Sequence, residues 1–513
     1  MIAPASAHSV PSEIELRPAA EGEELAGPAR PLPTLRQERI GSMDVLRGVA
    51  LLGILIANVT SFGLPDWAYF APLSINKPAF SGPHAHLNTV IWFARWVFME
   101  GKMRGLFSLL FGAGVILLTS RAEKRGAVDK VADIFLRRNM WLLLFGVLHA
   151  YLVWAGDILY FYALTALIFL YPLRRLKPKT LLITAGCVLA LNAFDTFSSG
   201  RAMLDLSLHK RAATAIAAQQ AGATLTDQQK DDIQAWNERL QEWKPDQKAI
   251  DDDLAANRGG YLSAQAANAR IVVFFERDLY YGLGFCDVLS MMLIGMALVK
   301  NGFLTAQRSC KTYALAALVA TAISVPVVFI GASKALASNF DLITTDKWMF
   351  LTYDLGRVPG TIAIASIVLL IVKAGAPPWA TKRLAAVGQM ALSNYLLTSI
   401  VCKFIFVWGP WKLYGKLEYY QLYYVLLAVW VVNLVWSPIW LRYFEFGPAE
   451  WLWRSLTYWK KQPIRVWQAP GGPGSCGVNP ARARKAVLER MSTLHDGEHR
   501  ESADLNPGIL PIS

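Results

Sequence analysis

Charge is scarce in this chain. Asp, Glu, Lys and Arg make up 17% of its 513 residues, whereas ordinary soluble domains carry roughly 25%. A surface wetted on all sides by charged side chains is thereby excluded. Cysteine is scarce as well. Cys187, Cys286, Cys310, Cys402 and Cys476 form no C-x-x-C pair, and four of them fall in or beside apolar blocks. A disulfide framework and a thiolate zinc site are therefore not expected, nor is any other metal. Residues 1–43 are rich in Pro, Ala, Glu and Arg and hold no apolar run. They read as a disordered cytoplasmic tail rather than a cleaved signal peptide. The phosphate-loop, H-E-x-x-H and G-x-S-x-G patterns are also missing, which argues against a nucleotide-driven machine or a standard serine hydrolase.

What the chain has in abundance is apolar sequence, 54% of all residues. It comes in blocks of about 17–25 residues, the length that crosses roughly 30 Å of hydrocarbon as a helix. Such blocks lie at about 44–63, 87–119, 139–154, 158–172, 179–196, 283–300, 311–332, 349–373, 384–409 and 419–441. The fold class expected is all-α, a polytopic transmembrane bundle of about ten helices. Eighteen Trp and eighteen Tyr fit the lipid–water boundary. The formal charge of +13 reads as Lys and Arg gathered at cytoplasmic helix ends, not as a nucleic-acid footprint. Arg121, Lys124, Arg125, Lys130, Arg137 and Arg138 crowd one connection, and Arg174, Arg175, Lys177 and Lys179 another. The alternate short loops hold few cations, which places both termini in the cytoplasm.

The organisation expected is a tail at 1–43, helices one to five over 44–196, an insert at 197–270, helices six to ten over 271–446, and a second tail at 447–513. The insert is polar, Ala- and Gln-rich and helical in period, and by the topology it lies outside. The second tail begins amphipathic, Trp451 to Trp467, and then turns Gly-, Pro- and charge-rich, as a disordered segment would.

Charged side chains inside a bilayer cost a few kcal/mol each and face a protein interior or a wet cavity. Asp44 and Arg47 share a helix face three residues apart, and Asn58 lies eleven residues beyond Arg47 on the same face, about 16 Å away. They could line one channel; equally, Arg47 could snorkel and Asn58 hold a neighbouring helix. Glu100, Lys102 and Arg104 interrupt the second block, as an internal ion pair or as site residues. His149 and Asp157 stand either side of a hairpin turn at Ala155-Gly156-Asp157. A carboxylate beside a histidine fixes the imidazole tautomer and raises its basicity. A packing histidine is the plainer alternative. His84 and His86 form an H-x-H without further ligands nearby. Asp354 with Arg357, and Asn394 with Tyr395, complete the intramembrane polar set.

The string MDVLRGVALLGIL at 43–55, followed by Asn58, resembles the start of the YeiB-like bacterial membrane proteins, labelled domain of unknown function 418. The resemblance continues through EGKMRGLFSLLFGAG at 100–114 and GVLHAYLVWAGDILYFYAL at 146–164. It runs on through MMLIGMAL at 291–298, VGQMALSNYLL at 387–397 and WLRYFEFGPAEWLWRSLTY at 440–458. It implies a multi-pass protein of the bacterial inner membrane. The first span is also similar to that of the wider membrane-integral acyltransferases. Acyltransferase-3 proteins carry Arg, ten residues, then His; here Asn58 replaces that histidine. An Asn there resembles the lysosomal heparan-α-glucosaminide N-acetyltransferase type, where a later outer-loop His accepts the acyl group; His84 or His86 lies in that region without a residue-by-residue match. Within the YeiB-like pattern the matching histidine is His149. The resemblance implies acyl transfer from a cytoplasmic thioester, acetyl-CoA or another acyl donor, held near Arg47, Asn58 and Lys102. His149 and Asp157 would then serve a cell-envelope sugar or lipid acceptor. Membrane lipid is the surrounding partner, and an oligomer is compatible with all of this. The alternative is a transporter or exporter with a polar path between its helices.

The topology is checked by fusing alkaline phosphatase, which is active only outside the cytoplasm. A fusion after Leu225 is expected to be active and one after Gly375 inactive. The reverse pattern would invert the assignment.

Overall fold

The computed structural model of the protein describes residues 40–124, 128–198 and 201–465. The expected tail segments 1–39 and 466–513, Cys476 and Arg125 lie outside the described residues. No strand occurs among those described. That follows from the composition, because hydrocarbon offers backbone groups no water and a helix satisfies them within one segment.

The first helix, α1, spans Gly41–Gly63. The block expected at 87–119 is broken: α2 covers Ala85–Phe98 and α3 covers Lys102–Lys124. The break falls at Gly101, which adopts φ 67°, a left-handed conformation that glycine reaches without a Cβ penalty. A hairpin follows, α4 at Val131–Leu152 and α5 at Leu159–Leu173, and then α6 at Pro178–Ser198. The insert consists of α7 (Arg201–Gln220), α8 (Asp227–Trp243), α9 (Gln247–Arg258) and α10 (Tyr261–Val273). A capping box of Thr226 and Gln229 starts α8. From α10 the chain runs through a π-helical stretch, Phe274–Gly284, into α11 at Phe285–Lys300. The remaining helices are α12 (Cys310–Ala337), α13 (Tyr353–Lys373), α14 (Pro378–Gln389), α15 (Ala391–Lys403), α16 (Tyr419–Tyr443) and α17 (Pro448–Tyr458).

The result is a multi-pass helical bundle. Seven helices among the described residues are long and apolar enough to cross a membrane, and Leu159–Leu173 and Pro178–Phe194 are shorter apolar helices. All ten expected segments are helical. The one at 139–154 falls in α4, whose first turns carry Asp133, Arg137 and Arg138 and so dilute its hydropathy below that of the seven.

Small residues decide how closely these helices pack. A Cβ at Gly48 of α1 would overlap the Leu384 carbonyl of α14, and one at Gly388 would overlap the Asp44 carbonyl in return. Gly112 of α3 and Gly295 of α11 form a second reciprocal pair, against the Met292 and Leu109 carbonyls. Lipid is as apolar as leucine, so association here comes from close backbone approach rather than from escape from water. Between α3 and α11 lies the largest cluster of buried side chains, including Leu106, Leu109, Met292 and Met296. Gly295→Leu is therefore expected to destabilise the bundle by about 1–3 kcal/mol through overpacking. A lowered melting temperature of the purified protein checks this; an unchanged one would mean the α3–α11 crossing is loose.

Candidate functional site

The α4–α5 turn is held closed by hydrogen bonds from three directions. His149, in the last turn of α4, lies with Nδ1 2.8 Å from Asp157 Oδ1, and both side chains are buried. The Tyr160 amide donates to Asp157 Oδ2 at 2.8 Å, and the Tyr395 hydroxyl, from α15, donates to Oδ1 at 3.2 Å. That hydroxyl in turn accepts from the Ile158 amide at 3.3 Å. Gly146, one turn before His149, leaves room for this: a Cβ there would press on the Tyr160 nitrogen and on Asp157 Oδ2. With Asp157 as acceptor, Nδ1 carries the proton and Nε2 keeps its lone pair, a tautomer assigned from the hydrogen bonding. Nε2 itself is buried and has no hydrogen-bond partner.

The third direction is the insert. Helix termini leave carbonyls without intrahelical partners, and at the end of α4 those of Ala150, Tyr151 and Leu152 accept from α10. Asn268 Nδ2 donates to Ala150 at 3.0 Å, Gln265 Nε2 to Tyr151 at 2.8 Å and the Tyr261 hydroxyl to Leu152 at 2.9 Å. Asn268 Oδ1 also accepts from the Ala155 amide at 2.9 Å.

A cavity of about 250 Å³ opens between α1, α3, α4, α5, α15 and α17. Tyr395, Ile158 and Leu159 form part of its wall, so it reaches the residues that hold Asp157. Its charged lining is Asp44, Arg47, Arg121, Arg138, Glu450 and Arg454, four arginines against two carboxylates. Arg47 pairs with Asp44 at 2.8 Å, and the Arg138 guanidinium lies 3.8 Å from the centroid of Trp453. Glu450 caps the start of α15. It accepts from the Leu392 amide at 2.7 Å, from the Ser393 amide at 3.1 Å and from the Ser393 hydroxyl. Burial raises the Glu450 pKa above the ordinary carboxylate value, and the Ser393 hydrogen bonds oppose that rise.

A separate network surrounds the α2–α3 break. Arg95 pairs with Glu100 at 3.1 Å, and the hydroxyls of Tyr69 and Tyr353 donate to the same carboxylate at 2.8 and 3.2 Å. Arg104 pairs with Asp287, and Arg357 with both Asp287 and Asp354, each at 2.7 Å. Asn192 donates to Asp354 at 2.8 Å. Lys102 is buried with its stem against Gly360. It borders a small cavity that it shares with Glu100, Tyr353 and Arg357.

The sequence-derived candidates thus divide into groups. His149 and Asp157 meet across the turn, and Tyr395, grouped with Asn394 in the sequence, joins them through Asp157. Asp44 and Arg47 pair and line the large cavity. Glu100, Arg104, Asp354 and Arg357 share the second network, which Lys102 adjoins, so Lys102 and Arg47 border different cavities. Asn58 is half-buried and lines neither. Asn394 is engaged by Val387, Ser437 and Trp436, joining α15 to α16. His84 lies 3.1 Å from Glu418, and His86 is exposed. No group of three metal-ligating side chains occurs among the described residues. Sequence reading passed over Arg121, Arg138, Arg454 and Glu450. The first two had counted only as topological charges, and the signal for the other two was a carboxylate and an arginine four apart on an amphipathic helix.

A family profile described as "Protein of unknown function (DUF418)" matches residues 298–460. The chain is 32% identical to the uncharacterized protein YxaH of Bacillus subtilis (strain 168), over 84% of this chain and 97% of that one. It is 30% identical to the uncharacterized protein YeiB of Escherichia coli (strain K12), over 82% and 96%. It is 27% identical to an uncharacterized 39.9 kDa protein in the amylase 3' region of Bacillus acidopullulyticus, over 84% and 97%. No solved structure matches.

Removing one partner of a buried ion pair strands the other charge, at a cost of about 3–5 kcal/mol. Arg357→Met is expected to lose stability on that scale, because Asp287 and Asp354 would both lose a cation. Thermal unfolding of the purified variant measures it, and a wild-type midpoint would show the network to be dispensable.

Proposed function

The chain belongs to the YeiB-like family of DUF418 membrane proteins, and from that premise we propose that it transfers an acyl group from an anionic thioester donor to a cell-envelope acceptor. The observation that carries this reading is the juxtaposition of one arginine-rich cavity with a buried His–Asp pair, joined through Tyr395. The membrane is the bacterial inner membrane, with both termini cytoplasmic, so that the donor enters from the cytoplasm and the acceptor from outside.

Each part has a physical role. Arg47, Arg121, Arg138 and Arg454 attract the phosphates of a donor such as an acyl-CoA, since guanidinium groups bind phosphate oxygens through charge-assisted hydrogen bonds. The acyl chain points inward along the apolar wall. The acceptor's hydroxyl or amine then attacks the thioester carbonyl. His149 Nε2 takes its proton, Asp157 stabilises the imidazolium, the C–S bond breaks, and the departing thiolate takes the proton from His149. The acceptor is a sugar or lipid of the envelope bearing a nucleophilic oxygen or nitrogen. A transport path is the weaker reading, because Arg95, Arg104 and Arg357 are each neutralised by a paired carboxylate.

Purified protein in lipid nanodiscs tests the proposal with a labelled acyl-CoA and a soluble acceptor analogue. His149→Ala is expected to lower turnover by about 10²–10⁴-fold, the usual contribution of a positioned general base, while donor affinity holds. Arg138→Gln is expected to do the opposite, weakening donor binding about tenfold. Wild-type turnover in His149→Ala would sink the reading, and energy-driven solute uptake into vesicles without acyl turnover would replace it with transport.

A further inference from the structure

The size and lining of the large cavity bear on which acyl group it accepts. Its wall along α3 is one broad apolar face, Phe107, Leu110, Phe111, Gly114, Val115, Leu117 and Leu118, ending at Arg121. From Phe107 to Arg121 the helix rises about 21 Å. Leu142 of α4 and Leu159 and Tyr162 of α5 add further apolar lining, while Arg121 and Arg138 stand on the same helices, α3 and α4, as part of it. With a volume of about 250 Å³, the cavity has room for an occupant with an apolar part. A water molecule takes up about 30 Å³ in the liquid, and a methylene is of similar size. Part of that space lies among the arginines and serves the donor's anionic end, and an acetyl group would still leave most of the rest unfilled.

Gly114 adds an independent observation. The other two glycines of its helix segment, Gly105 and Gly112, face side chains or backbone that a Cβ would strike. A Cβ at Gly114 meets nothing within 4 Å, although the residue lines the cavity. Close helix packing therefore does not account for a glycine at this position. What its missing side chain leaves is bore.

We propose that the cavity is a bore for an acyl chain longer than acetyl, with the arginine cluster holding the anionic end of the donor and Gly114 keeping the bore open. This rests on the acyl-donor reading above and adds the chain length to it. The same chemistry, a straight apolar chain carrying a phosphate, could also arrive from a membrane phospholipid, and the test separates the two sources.

Full-length protein in lipid nanodiscs is titrated with octanoyl-CoA and with acetyl-CoA by isothermal calorimetry. Octanoyl-CoA is expected to bind at least tenfold more tightly. Gly114→Phe, which places a ring in the bore, is expected to lower octanoyl-CoA affinity at least tenfold and erase the preference. Leu118→Trp, nearer Arg121, does the same by a second route should the first variant fail to fold. Equal affinities for the two thioesters, or a preference that survives both substitutions, would overturn the chain-length inference and leave acyl transfer standing. Failure of both thioesters to bind would overturn both readings. Native mass spectrometry showing a phospholipid that octanoyl-CoA does not displace would overturn the inference in favour of a lipid-filled bore.

Discussion

Inside hydrocarbon a polar atom has no water to turn to, so each one must find its partner in the protein. The positions of the helices follow from that requirement as much as from packing. Asn268 of the insert satisfies both a carbonyl and an amide of the α4–α5 turn. Asn394 joins two helices through Val387, Ser437 and Trp436. Glu450 answers the free amides at the start of α15 from a helix beyond the last span. Several buried polar atoms among the described residues lack a hydrogen-bond partner, and among them the Nε2 of His149 has chemical interest because a carboxylate holds the other nitrogen of its ring. A buried group without a partner is tolerated where its reactivity is of use.

The two polar regions of the bundle differ in kind. Around the α2–α3 break, positive and negative groups alternate in contact, and the tyrosines Tyr69 and Tyr353 fill the remaining valences of Glu100. Such an arrangement locks geometry. Gly101 shows how tightly: its left-handed backbone and the nearness of the Tyr353 hydroxyl each exclude a side chain. Around the large cavity, arginines outnumber carboxylates and the wall is apolar. That arrangement suits the anionic, part-apolar donor proposed above. The break in α2–α3 and the cavity share helix α3, so the rigid network fixes one end of the wall along which a ligand would lie.

Much of this was legible in the sequence because it depends on local rules. Apolar block lengths marked the helices, and the Glu100–Arg104 interruption left the second block as either one long tilted helix or a broken one. The spacing across Ala155-Gly156-Asp157 suggested that His149 and Asp157 meet. Relations between distant helices were not legible. Periodicity places Arg47 and Asn58 on one face of α1, but only the neighbours of α1 decide which part of that face borders a cavity. Lys102 stood close to Arg104 in sequence, yet the break at Gly101 and the small residue Gly360 turn it toward α13. Glu450 and Arg454 sit on a helix whose aromatic, amphipathic character suggested a surface role. Only its return against α15 shows that they line the cavity as well.

The clamp formed by Asn268, Gln265 and Tyr261 makes the insert more than an appendage. Its exit helix grips the very residues that carry His149, and continues into the π-helical stretch and α11. A load applied to the insert would reach the α4–α5 turn through this clamp, as it would reach the chain at Phe340 and Tyr414 through Trp243 and Arg258. The polar segment that looks most dispensable in the sequence is in mechanical terms a lever, with its fulcrum at the imidazole.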